Sequence, residues 1–78
     1  MSQAAPLPDP QAMSYEAAKA ELKQIVAALE AGSAPLEQTL ELWQRGEALA
    51  ARCRTILDAA AQRLQAAAQE DGSVPPAQ

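Results

Sequence analysis

The sequence predicts an all-α protein: a long antiparallel two-helix hairpin, coiled-coil-like, between disordered N- and C-terminal tails. Two helical patterns, at 14–31 and 35–69, are separated by a short turn that contains Gly32. At about 1.5 Å per residue they would be roughly 27 Å and roughly 52 Å long. The first helix can therefore cover only about half of the second, and the remaining apolar surface needs a cover from outside the hairpin.

Both ends of the chain, 1–13 and 70–78, are predicted to be disordered. Proline is excluded from helix interiors, and small polar residues bury too little apolar surface to form a core. The residues that mark these ends are Pro6, Pro8, Pro10, Gly72, Pro75 and Pro76. The ordered part is then the hairpin at 14–69.

The first helix has residues suited to both of its ends. Ser14 is a good N-cap, Glu16 places negative charge where the helix dipole favours it, and Gly32 suits the position that ends a helix. Its apolar residues recur at steps of three and four, which predicts a single contact line against one neighbouring helix. The residues on this side of the hairpin seam are Tyr15, Ala18, Leu22, Ile25 and Leu29.

The second helix carries two adjacent apolar rows, which favours two neighbours: the first helix and another chain. One row contains Leu42, Gly46, Leu49, Cys53, Ile56, Ala60 and Ala67. The other contains Leu36, Leu40, Trp43, Ala50, Leu57, Ala61, Leu64 and Ala68. Within these rows the hairpin seam is predicted to use Leu36, Leu40, Trp43 and Gly46, and a partner interface to use Leu49, Cys53, Ile56, Leu57, Ala60 and Leu64. We expect Gly46 to lie opposite Ala18, where the missing side chain lets the helices approach closely.

Composition favours association over independent stability. The chain has 78 residues, one cysteine and no histidine. A single cysteine forms no intrachain disulfide, and the lack of histidine argues against a zinc site. A core this small supplies only a few kcal/mol. We therefore expect no cofactor and no metal, a bound partner, and self-association when the chain is free.

No residues form a recognisable catalytic set. The acidic residues are spread over helical surfaces, whereas a metal-dependent nuclease needs carboxylates that converge in a cleft. The net charge of −4 is a handicap for direct DNA binding, which depends on neutralising phosphates. No segment has the length of a membrane span, and the N-terminal residues do not resemble a secretory signal. We expect a cytoplasmic protein that does not act at a membrane.

Three arginines, Arg45, Arg52 and Arg63, fall on one line of the second helix. They allow a weak contact with DNA phosphates, ion pairs with the carboxylates of a partner, or a solvated edge. Without interleaved aromatic residues the DNA interpretation is the weaker one.

A string of residues along most of the hairpin resembles the small subunit of bacterial exodeoxyribonuclease VII. The match is carried by Ser14-Tyr15-Glu16, Glu21-Leu22, Ile25-Val26, Leu29-Glu30, Gly32, Pro35-Leu36-Glu37, Leu40, Trp43, Arg45-Gly46, Leu49-Ala50, Cys53, Leu57 and Gln62-Arg63. It covers roughly residues 14 to 66, and the spacing of the whole string is more specific than any short motif within it.

The resemblance implies a non-catalytic subunit that binds a much larger catalytic subunit, with several small subunits per large one. The resemblance also implies that the complex degrades single-stranded DNA from either end to oligonucleotides, and that this chain meets DNA only through the complex. The alternative function is a generic helical-hairpin adaptor, or a self-associating scaffold, that is unrelated to DNA metabolism.

Overall fold

A computed structural model describes residues 7–71, with side chains to residue 69. A 3₁₀ helix at Pro10–Ala12 precedes two α-helices, α1 (Tyr15–Ala31) and α2 (Leu36–Asp71). The described range contains no strand, so the predicted all-α fold with two helices is confirmed. Within that range neither helix has an apolar stretch long enough to cross a membrane.

Local sequence explains both ends of α1. The Ser14 hydroxyl accepts a hydrogen bond from the Ala17 backbone N–H at 3.1 Å, which satisfies one of the free donors of the first turn. Gly32 has a φ of 68°, a left-handed conformation that favours glycine, and its N–H donates to the Leu29 carbonyl at 3.2 Å. The chain then reverses, and α2 returns alongside α1.

The core of the hairpin is small and lies between the two α-helices. Ala18 and Ile25 of α1 and Leu49 of α2 are buried, together with Met13 from the segment before α1. The half-buried apolar residues that pack around them are Leu22, Leu29, Leu42 and Cys53. This core corresponds to one of the two rows on α2, the row that contains Leu49.

The register of the two helices differs from the expected one at Gly46. A Cβ placed on Gly46 would lie 3.4 Å from Ile25 Cγ2 and 3.7 Å from Leu22 Cδ1, so these two residues face Gly46 and not Ala18. The Glu21–Arg45 ion pair gives the same register. The chain reverses within the turn at 32–35 and not at Gly32 itself. Each α2 residue therefore lies opposite an α1 residue that is closer to the turn than a count of equal steps from Gly32 predicts.

The segment before α1 is ordered against α2, where the sequence analysis expected a disordered tail over 1–13. The Asp9 carboxylate accepts from the Gln11 N–H at 3.0 Å, and Pro10 occupies the first position of the 3₁₀ turn, where its missing N–H is not needed. Arg52 Nε donates to the Met13 carbonyl at 2.9 Å. Residues 1–6 and 72–78 of the expected tails lie outside the described residues, and Glu70 and Asp71 still belong to α2.

Candidate partner-binding surface

The far part of α2 extends beyond α1. Glu21 lies opposite Arg45, and α1 begins at Tyr15, six residues before Glu21. Because the helices are antiparallel, the α2 residue opposite Tyr15 is about six residues after Arg45, at Ala51. The segment before α1 then extends the cover along α2 as far as Thr55, since Asp9, Pro10 and Gln11 line a groove with Arg52 and Thr55. We call the remaining part of α2, residues 56–71, the overhang.

The overhang carries apolar side chains that the rest of the described chain leaves wholly or partly uncovered. Leu57 and Leu64 are exposed, Ala60 is exposed, and Ile56 is half-buried. Ile56, Ala60 and Leu64 line a shallow groove beside Arg63. Four of the six residues predicted for a partner interface therefore lie together on the overhang: Ile56, Leu57, Ala60 and Leu64.

Two residues predicted for the partner interface have a role within the hairpin instead. Leu49 is 0% exposed and lies at the centre of the core, so its assignment to a partner is corrected. Cys53 is half-buried and packs against the same core as a small apolar residue. Leu49 and Cys53 both lie on the part of α2 that the rest of the chain covers. The N-terminal segment extends this covered part further along α2 than α1 alone would.

Two residues predicted for the hairpin seam lie outside it, and a third lies at its edge. Leu36 and Leu40 are 74% and 54% exposed, so their assignment is also corrected. Trp43 is 58% exposed and lines a groove with Leu22 and Val26 of α1. All three belong to the second apolar row, whereas α1 packs on the row that contains Leu42 and Leu49. The sequence predicted both rows but gave part of each row to the seam and part to a partner. In the structure, α1 packs on one row, from Leu42 to Cys53.

The remaining seam residues of α1 face α2 in the structure. Ala18 and Ile25 are buried, and Leu22 and Leu29 pack against them. Tyr15, at the N-terminal end of α1, is half-buried, and the Lys19 ammonium lies 5.8 Å from its ring centroid. This distance is within the range of a cation–π contact.

Arg45 is engaged within the hairpin. Its Nε donates to Glu21 Oε2 at 2.7 Å and its Nη2 donates to Glu21 Oε1 at 2.9 Å, a bidentate pair that joins the two helices. These hydrogen bonds lower the pKa of Glu21 from its ordinary value, and partial burial opposes the change. The same contacts raise the pKa of Arg45.

The three arginines of the predicted line therefore do not form a common surface. Arg45 binds Glu21, and Arg52 holds the Met13 carbonyl. Arg63 is exposed on the overhang and lines its groove. Among the described residues only Arg63 of this line is placed to meet a phosphate or a partner carboxylate without first giving up a hydrogen bond.

The N-terminal segment is a packing element that the sequence pattern did not predict. A signal was present in Met13, a large apolar residue one position before the N-cap of α1, where a residue can pack against the neighbouring structure. The Glu21–Arg45 pair was missed because it depends on the register of the hairpin, which the turn residues alone did not fix.

Within the part of the chain that the structure describes, no three histidine, cysteine, aspartate or glutamate side chains are grouped so as to hold a metal ion. The surface itself offers apolar burial, with Arg63 beside its groove. A helical surface of this kind binds another helix or an apolar protein face.

Comparison with known proteins identifies the family. The family model described as exonuclease VII small subunit matches residues 15–66. The chain belongs to the exonuclease VII small subunit family. The resemblance that the sequence analysis stated is thereby confirmed, and the matched residues include α1, the turn and α2 through the middle of the overhang.

Curated relatives of the exonuclease VII small subunit family are similar over most of their length. The chain is 58% identical over 65 residues to the exodeoxyribonuclease 7 small subunit of Beutenbergia cavernae, covering 82% of this chain and 76% of the relative. It is 51% identical over 67 residues to that of an Arthrobacter species, covering 86% and 88%. It is 48% identical over 64 residues to that of Phenylobacterium zucineum, covering 82% and 80%. No solved structure matches the chain.

Proposed function

We propose that this small subunit is a non-catalytic component of exodeoxyribonuclease VII and binds a large catalytic subunit through the overhang of α2. In this proposal the large subunit degrades single-stranded DNA from both ends to oligonucleotides, and several small subunits bind each large one. The supporting observation is that the overhang carries exposed Leu57 and Leu64 beyond the last contact with the rest of the hairpin.

Helix stability gives the physical reason why the overhang needs a partner. It has about the length at which an isolated helix is only marginally stable in water, roughly 12–15 residues. Its stability in a complex would come from burial of its apolar side, at about 25 cal/mol per Å² of apolar surface removed from water. The large subunit would thus order the overhang and gain binding energy from the same surface.

The charge of the chain favours an indirect relation to DNA. The chain carries ten acidic and six basic residues, and two arginines of the predicted line are engaged within the hairpin. A surface of this kind neutralises few phosphates, which is the main source of DNA affinity. We therefore assign the cleavage of DNA to the large subunit and a supporting role in the cytoplasm to this chain.

The test compares two substitutions on the overhang in binding to the large subunit. Ile56→Asp places a charge in the apolar groove, and an unpaired buried charge costs several kcal/mol, or about two or more orders of magnitude in affinity. Arg63→Ala removes a charge at the groove edge and should cost within about 1 kcal/mol, as exposed ion pairs do. Gln44→Asp, exposed on the covered half of α2, is the matched control for an added carboxylate.

The assay is titration of the large subunit with each variant, and circular dichroism verifies that each variant stays helical. The proposal is supported if only Ile56→Asp loses affinity. If Arg63→Ala binds weakly while Ile56→Asp binds normally, the interface is electrostatic and the proposed surface is wrong. If native purification recovers the chain with no nuclease subunit, the adaptor or scaffold function replaces the proposed one.

A further inference from the structure

A second unpartnered surface runs along almost the whole of α2. We call it the open row; its members alternate at steps of four and three and are Leu36, Leu40, Trp43, Glu47, Ala50, Arg54, Leu57, Ala61 and Leu64. All are exposed except Ala50, which is half-buried. This is the spacing by which one helix packs along another in a coiled coil. The open row is distinct from the row that α1 covers, and six of its nine members lie before the overhang.

The chain itself covers two other sides of α2. α1 packs on the row that contains Leu42 and Leu49. The N-terminal segment lies on another side, where Leu7 lines a groove with Glu41 and Arg45, and Asp9 lines one with Ala48 and Arg52. At about 100° per residue, the α2 positions that the N-terminal segment faces lie roughly opposite the open row on the helical wheel. Along the first half of α2 the open row is therefore accessible to a partner, and its members Trp43, Glu47 and Ala50 border α1, where they line a groove with Val26 and Leu29.

The open row contains two charged residues among apolar ones, Glu47 and Arg54. They lie on either side of Ala50, each about one turn from it. Among the described residues neither side chain takes part in an ion pair or a side-chain hydrogen bond. If two copies of the row pack antiparallel and are centred near Ala50, Glu47 of each copy faces Arg54 of the other. The row is therefore complementary in charge to a second, antiparallel copy of itself.

The charges around the open row have the same symmetry. The half of α2 before Ala50 carries Glu37, Glu41 and Glu47 and one arginine, Arg45, which is paired with Glu21. Within the span of the open row, 36–64, the half after Ala50 carries Arg52, Arg54 and Arg63 and one carboxylate, Asp58; beyond this span Glu70 and Asp71 add two carboxylates. Over 36–64, α2 is thus acidic toward the turn and basic in the half after Ala50.

We propose that the open row binds the open row of a second copy of this chain, with the two α2 helices antiparallel and a two-fold axis near Ala50. This arrangement brings Glu47 of each copy within about one turn of Arg54 of the other. It also places the Leu36, Leu40 and Trp43 side chains against the Leu57, Ala61 and Leu64 region of the other copy. A two-fold axis uses the same patch on both copies, as the commonest dimers do.

Charge decides between the two possible orientations. A parallel pair in register would place Glu47 against Glu47 and Arg54 against Arg54 within an apolar contact line, and facing like charges destabilise helix pairs. The antiparallel pair replaces both repulsions with attractions. It also covers the first part of the overhang of each copy with the turn half of the other copy, which the hairpin alone leaves bare.

This proposal specifies the orientation and contact residues of self-association of the free chain, and it does not rest on binding to the large subunit. The two surfaces share Leu57 and Leu64, so binding of the overhang to the large subunit would displace the second copy there. Ile56, the residue that tests the large-subunit surface, lies on the side of the overhang that continues the α1-facing row. A failure of one proposal therefore leaves the other standing.

The first experiment is a charge exchange measured by sedimentation equilibrium of the free chain. Glu47→Arg should weaken the dimer at least tenfold, because it places an arginine near Arg54 of the other copy. The double variant Glu47→Arg with Arg54→Glu should restore dimerisation, since the antiparallel pair regains both attractions. Glu30→Arg, exposed at the end of α1, makes the same change of net charge away from the open row and should leave the dimer unchanged.

The second experiment measures orientation. A spin label on Gln65→Cys, in a chain that also carries Cys53→Ala, should give an intermolecular distance of roughly 45 Å, because each label lies about fifteen residues from the two-fold axis. A parallel pair would give a distance of about 20 Å or less, set by the helix diameter and the label.

The outcomes decide whether a second copy of this chain or the large subunit binds the open row. A wild-type dimer with the long distance, weakened by Glu47→Arg and restored by the double variant, supports the proposal. A short distance, or a dimer that Glu47→Arg does not weaken, overturns it. A wild-type chain that stays monomeric at high micromolar concentration also overturns it, and loss of large-subunit binding by Trp43→Glu would then give the open row to the large subunit.

Discussion

Gly46 offers a substitution whose sign follows from two distances. It lies in the middle of α2, where glycine is less favourable than alanine by about 1 kcal/mol. A methyl group at this position would lie 3.4 Å from Ile25 Cγ2 and 3.7 Å from Leu22 Cδ1. Both are side-chain contacts at ordinary van der Waals separation, and no backbone atom of α1 is closer. We therefore expect Gly46→Ala to fit.

The expected gain can be estimated from these terms. Helix propensity contributes about 1 kcal/mol and partial burial of one methyl group adds at most about 0.8 kcal/mol. A shift of a few tenths of an ångström in Ile25 offsets part of the second term. Gly46→Ala should thus raise the free energy of unfolding by about 1 kcal/mol. Gly46→Val should lower it, because a branched side chain overpacks the same contact by about 1–3 kcal/mol.

The assay is urea unfolding followed by far-ultraviolet circular dichroism, repeated at tenfold dilution so that any change in self-association is separated from folding. Ala48→Gly, at an exposed position near Gly46, calibrates the propensity difference in this helix. If Gly46→Ala destabilises the hairpin while Ala48→Gly shows the usual loss, the helices lie too close for any side chain at Gly46. The close-approach interpretation made from the sequence would then be right, and the separation argued from these distances would be wrong.

Two further predictions concern the core and the ion pair. Leu49→Ala should lower the free energy of unfolding by about 2–5 kcal/mol, because it empties a fully buried site; an effect below about 1 kcal/mol in the same urea assay would show that Leu49 is not central to the core. The Glu21 carboxyl has a lowered pKa, so its stabilising contribution is complete above its ordinary pKa and is lost as the pH falls through its folded value. Thermal melts of the wild type across the acid range should show this loss, and Glu21→Gln should remove that part of the pH dependence and destabilise the hairpin by about 1 kcal/mol at neutral pH.

Much of the fold could be predicted from local sequence signals. Ser14 and Gly32 define the ends of α1 through capping chemistry that needs only neighbouring residues. The two apolar rows of α2 follow from helical periodicity alone. The existence of the hairpin and the excess length of α2 depend on these local patterns and not on tertiary detail.

The division of α2 into surfaces could not be predicted in the same way. Which row faces α1 depends on the rotation of α2 about its axis, and both rows are apolar enough to serve. For this reason Leu49 was assigned to the partner surface although it is buried, and Leu40 to the seam although it is exposed. The N-terminal segment was missed because its order depends on the Arg52 hydrogen bond to the Met13 carbonyl, a contact distant in sequence. The proposed partner residues, such as Leu57 and Leu64, are indicated only by their exposure among the described residues.

The contact of Met13 with Arg52 has a consequence for the order in which the chain folds. The interhelix links become more distant in sequence from the turn outward: Glu21 and Arg45 are separated by 24 residues, and Met13 and Arg52 by 39. Loop closure becomes slowly less favourable with length, so the hairpin should close first beside Gly32 and proceed toward the open end. The N-terminal segment then acts as a late clasp on that end. Amide protons near Tyr15 should exchange with solvent faster when Arg52 is replaced, while those near Ile25 keep their protection.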